Sequence, residues 1–89
     1  MQTGTARVID PSARLRREFG RSLRQARIAA GLTQGQVAAA TGINIGHISE
    51  VERGLQNITL NTMTALAKSV GMDVEIGLKP VSRRRKRPT

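Results

Sequence analysis

Apolar positions along this chain fall into short periodic runs separated by glycine. Leu15, Phe19, Leu23 and Ala26 recur at spacings of four, four and three. This stripe predicts an amphipathic helix running to about Ala30, entered through Asp10 as cap and Pro11 as first helical residue. Thr33, with Gln36 three residues later, forms a capping box ahead of a second helix whose inward residues are Val37 and Ala38. Ala38 is small where another helix crosses closely. Gly42 ends that helix in the left-handed conformation that glycine adopts without a Cβ clash. Asn44 caps a third helix with Ile48 and Val51 inward, and Gly54 stops it. Thr59 caps a fourth, with Leu60, Met63, Leu66, Ala67 and Val70 inward and Gly71-Met72 closing it as a Schellman motif. Val74, Ile76 and Leu78 then alternate with polar or small residues, the period of a β-strand. The prediction is an all-α fold of four to five helices with one C-terminal strand. A lone strand needs a partner, so Val74, Ile76 and Leu78 are expected to pair with the same segment of a second copy across a two-fold homodimer.

The order Gln34, Ala38, Gly42, Ile48, Val51 resembles the helix-turn-helix of the phage repressor and Cro family, the Xre type, over roughly residues 15 to 72. Two short helices joined by a glycine also occur in bundles that never touch DNA, but the complete set of caps and spacings favours the resemblance. It implies a repressor-like DNA-binding domain whose recognition helix, about Ile45 to Arg53, lies in the major groove of double-stranded DNA. By position in the motif, Gln34 matches a phosphate contact, Ile45, Gly46 and Glu50 match base-reading sites, and Gln56 matches a contact in the following loop. The chemistry is unusual. Ile45 can touch only a thymine methyl, Gly46 has no side chain, and Glu50 accepts from cytosine N4 but repels phosphate. Asn44 and His47 are therefore expected to share the readout or bind phosphate, and Arg53 and Asn57 to meet the backbone. His47 is also readable as a helix residue without a role. The resemblance further implies a structural ion pair between Arg27 and Glu52, rather than a phosphate contact by Arg27.

A strand after the fourth helix departs from the phage repressors. It looks more like the Hip-type antitoxins, which also share the Val8-Ile9-Asp10-Pro11-Ser12 and Asn57-Ile58-Thr59-Leu60 entries into their helices. The leading expectation is a sequence-preferring regulator, a repressor acting as a homodimer on an inverted repeat. The alternative is an antitoxin that binds a toxin protein and regulates its own promoter.

Charge changes the picture through its distribution. The 89 residues carry a net charge of +9. Seven arginines against Asp10 and Glu18 make residues 1–30 +5, residues 31–78 are −2, and residues 79–89 are +6. The reading motif is itself slightly acidic, so attraction to phosphate must come from the first helix and the tail. Residues 1–10 are expected to be flexible, 11–78 to form the DNA-binding domain with its dimerisation strand, and 79–89 to be a disordered basic tail. Within that tail Arg83, Arg84 and Arg85 begin five consecutive basic residues suited to following phosphates or entering the minor groove.

There is no cysteine, one histidine and few acidic residues. No metal cluster, nucleophile or acid–base pair can be assembled, so no enzyme activity, cofactor or small-molecule ligand is expected. With no apolar run long enough for a membrane span or signal peptide, a soluble cytoplasmic protein is expected. Phe19, the sole aromatic, reads as a core residue rather than a base-stacking platform.

Overall fold

The computed structural model describes residues 10–81. Four helices follow in order, α1 Ala13–Ala29, α2 Gln34–Thr41, α3 Ile45–Glu52 and α4 Leu60–Ser69. Helix α3 packs against α1 and α2, and α2 packs against α4. The core between them is Leu23, Val37, Ile48, Val51, Leu66 and Val70, of which Ile48, Leu66 and Val37 are fully buried. Burying each such side chain contributes about 1.5–3 kcal/mol. Loop residues Leu32, Ile43 and Ile58 complete the packing.

The caps predicted for α2, α3 and α4 are present. Thr33 Oγ1 accepts from the Gln36 N–H at 3.0 Å while Gln36 Oε1 accepts from the Thr33 N–H at 2.9 Å. Asn44 Oδ1 accepts from the N–H groups of Gly46 and His47, and Thr59 Oγ1 accepts from that of Thr62. At the end of α4 the Met72 N–H reaches the carbonyl of Ala67 and the Gly71 N–H that of Lys68, the two bonds of a Schellman motif.

Three expectations need correction. Helix α1 starts at Ala13 with Ser12 as its N-cap, two residues beyond the predicted entry. Asp10 instead closes a tight turn, its carbonyl accepting from the Ala13 N–H and its carboxylate from the Ser12 N–H. Leu15 and Leu60, placed inward by the periodicity, are 56% and 62% exposed, because among the described residues no element covers the α1–α4 face at their level.

The strand expected over 74–78 is not formed. The described residues contain no strand, and 72–81 carry no regular secondary structure. A strand exists through its ladder, and among the described residues no second extended segment runs beside this one. Val74 and Ile76 line an open apolar groove with Leu15, Phe19, Leu60 and Met63, while Leu78 is fully exposed.

Candidate nucleic-acid interface

Helices α2 and α3 form the two-helix unit anticipated from the glycine spacing. Gly42 sits at φ 76°, and its N–H donates to the Ala38 carbonyl at 2.8 Å. The chain can therefore turn within two residues and restart at the Asn44 cap. Ile48, Val51 and Glu52 form the buried side of α3, whereas Ile45 and Gly46 are exposed and His47, Ser49 and Glu50 half-buried. Arg53 and Asn57 are exposed beyond its end. A single surface thus carries the start of α3, its outward residues and the following loop.

Glu52 anchors α3 from behind. Arg27 Nε donates to Glu52 Oε2 at 2.7 Å and Arg27 Nη2 to Oε1 at 3.0 Å, a buried bidentate pair. Arg27 Nη1 also donates to the Leu32 carbonyl at 2.9 Å, and Gln34 Nε2 donates to Glu52 Oε1 at 3.0 Å. One carboxylate therefore ties the end of α3 to both α1 and the start of α2. Burial pushes the Glu52 carboxyl up, but the bonds from Arg27 and Gln34, with the charges of Arg27 and Arg24, outweigh it and hold the group below its ordinary range. The bond to Glu52, opposed by burial, raises the Arg27 guanidinium further. A charge-assisted bidentate pair of this kind is lost expensively if one partner is removed, because the other stays buried and unpaired.

Residues singled out for DNA contact are already engaged in different ways. The side-chain oxygen of Asn44 is taken by the α3 cap, leaving its amide nitrogen to donate outward. Gln34 is half-buried against Glu52, which makes it a strut as well as a surface residue. Glu50 and Gln56 meet each other, with Gln56 Nε2 donating to Glu50 Oε1 at 2.6 Å. Arg83, Arg84 and Arg85 lie outside the described residues.

Two supporting residues escape the sequence pattern. Gly20, in the middle of α1, is buried where the backbone of α3 crosses. A Cβ there would lie 2.7 Å from the Glu52 carbonyl oxygen and closer still to that of Val51. A lone glycine inside a helical stripe was the available signal, and the close backbone approach falls here. Arg16, one of the seven arginines of residues 1–30, is half-buried. Its Nε donates to the Gly54 carbonyl at 3.1 Å, and its Nη1 bonds Ser12 Oγ and pairs with Asp10 Oδ2. The bond from Arg16 is the main reason the Asp10 carboxyl lies below its usual range, with Ser12 adding to it. The start of α1 is thereby joined to the turn after α3.

Among the described residues no group of His, Cys, Asp and Glu could hold a metal ion, and no helix is long and apolar enough to cross a membrane. A family profile described as a helix-turn-helix domain matches residues 18–76. Among solved structures, the restriction-modification controller protein C.AhdI from Aeromonas hydrophila is 32% identical, over 67% of this chain and 91% of that one, with a TM-score of 0.63. The clp gene regulator ClgR from C. glutamicum is 30% identical over 67% of this chain and 77% of that one, with a TM-score of 0.66. The controller protein C.Esp1396I, solved as a tetramer in complex with its natural 35 base-pair operator, is similar in fold at 22% identity and a TM-score of 0.63, over 66% of this chain and 78% of that one. No curated protein sequence matches. These relatives are controller proteins and a gene regulator, so the antitoxin subgroup and its toxin partner gain no support from them. The profile match over most of the chain, on a capped α2–Gly42–α3 unit braced by Arg27 and Glu52, places the protein in the Xre-type helix-turn-helix family.

Proposed function

We propose that the chain is a DNA-binding transcription regulator that represses as a homodimer on an inverted-repeat operator. The observation that carries this reading is the display of α3. Its N-terminal residues Ile45 and Gly46 face solvent while its opposite side is held by Ile48, Val51 and the Arg27–Glu52–Gln34 network. A helix held this rigidly can enter the major groove without losing its orientation. In that pose Ile45 touches a thymine methyl, His47 and the Asn44 amide nitrogen donate to bases or phosphate, and Arg53 and Asn57 meet the backbone. The N-terminus of α2, at Gln34, offers its free N–H groups and partial positive charge to a phosphate.

The homodimer rests on a second observation. Leu15, Leu60, Met72, Ile76 and Leu78 are all more than half exposed, and most of them border the apolar groove between α1 and α4. A second copy seated on this face would cover them, and it would supply the ladder partner that the 74–78 segment lacks among the described residues. Half-sites would then lie about one helical turn (~34 Å) apart.

The test is selection of binding sites by the purified protein from a random duplex pool at near-physiological salt. The expected result is an enriched inverted repeat with fixed half-site spacing. Salt-dependent binding without any enriched sequence would refute a sequence-reading regulator.

A further inference from the structure

Glu50 and Gln56 are six positions apart, on either side of the turn that ends α3. The left-handed Gly54, with the Leu55 N–H donating to the Glu50 carbonyl at 2.9 Å, folds the chain back so that Gln56 lies against the side chain of Glu50. An ionised carboxylate can only accept, so the group meeting Glu50 Oε1 at 2.6 Å is the Gln56 amide nitrogen. Among the described residues, Glu50 Oε2 has no such partner. Both side chains are half-buried, and both lie on the surface that carries Ile45 and Arg53.

We propose that the two side chains act as one readout unit, in which Gln56 is a positioning residue for Glu50 and Glu50 selects an amino base on the strand it faces. This rests on the DNA-reading function above. The free oxygen of Glu50 is an acceptor, which matches the exocyclic amine of cytosine N4 or adenine N6 in the major groove. Guanine O6 and thymine O4 present acceptors to the same oxygen and are repelled, so the unit also rejects keto bases. A glutamate on a helix surface samples several rotamers, each putting its charge in a different place. The bond from Gln56 removes most of that freedom before DNA arrives. The selectivity of one base column therefore depends on a residue that need not touch a base.

The experiment is site selection from a random duplex pool with the wild-type protein, Glu50→Gln, Gln56→Ala and the double variant, with helical content of each checked by circular dichroism. The expected wild-type result is one column per half-site restricted to cytosine or adenine. Glu50→Gln, whose amide can both donate and accept, should weaken that preference about tenfold. Gln56→Ala should broaden the same column and leave the others sharp, and it should add nothing once Glu50 is replaced. A sharp amino-base column in Gln56→Ala, or broadening in other columns, would overturn the positioning role. A wild-type column that accepts keto bases would overturn the assignment to Glu50 while leaving a sequence-reading regulator intact. A wild-type pool with no enriched sequence would remove the DNA-reading function itself, and the inference with it.

Discussion

Gly20 shows how a single missing carbon sets the distance between two helices. The atoms a Cβ would strike are backbone carbonyls of α3 rather than the ends of flexible side chains, so α1 and α3 would have to separate. Helix propensity alone predicts that Gly20→Ala stabilises by roughly 0.5–1 kcal/mol. Overpacking opposes this with about 1–3 kcal/mol and should win. The expected outcome is a lower thermal midpoint, and a raised one would show that α3 can yield at little cost.

Glu52 makes a second prediction through its titration. Its carboxyl is lower in the folded chain than in the unfolded one, so the unfolded state binds the proton first as pH falls. The stabilisation is fully present above the ordinary glutamate value of about 4.3 and is lost as pH drops through the lower folded value. Urea midpoints measured from pH 6 to pH 3 should fall for the wild-type protein and change less for Glu52→Gln, which should itself be less stable at neutral pH. The pairing of Arg27 with Glu52 was legible through a family resemblance. The bonds from Gln34 to Glu52 and from Arg16 to Gly54 were not, since periodicity identifies the face a residue occupies and not the atom it meets.

At the scale of the elements, the helix boundaries that sequence located well are those made by residues within a few positions of one another. Thr33 with Gln36, Asn44 with Gly46, and Thr59 with Thr62 satisfy N–H groups that a helix start leaves unpaired. Thr33→Ala should therefore cost about 1 kcal/mol by urea denaturation, with the loss falling on the α2–α3 unit. Entry into α1 was misplaced by two residues because Asp10 pairs with Arg16 and turns the chain before the helix begins. The inward stripes of α1 and α4 were right for Leu23, Leu66 and Val70 and wrong for Leu15 and Leu60. A periodic pattern marks residues that avoid water, but it does not say whether their cover comes from the same chain.

For the whole molecule, that uncovered face and the uneven charge lead to two outcomes. Ile76 is 64% exposed, so a charge there should leave the single chain folded. Ile76→Asp is expected to sediment as a monomer with unchanged helical content, and an unperturbed dimer would exclude this face from the interface. Removing residues 83–89, which include five of the chain's fifteen lysines and arginines, should weaken binding to every duplex alike and flatten its salt dependence. An unchanged salt slope would exclude phosphate contact by the tail. By itself the sequence determined the four helices, the caps of α2, α3 and α4, the turn at Gly42 and the two-helix reading unit, because each depends on short-range backbone bonding and on a hydrophobic period. Tertiary structure alone decided the crossing at Gly20, the strut from Gln34, the clasp from Arg16, the coupling of Gln56 to Glu50 and the irregular course of 72–81. These join residues through the folded geometry of several elements, and no local pattern specifies which atoms that geometry brings together.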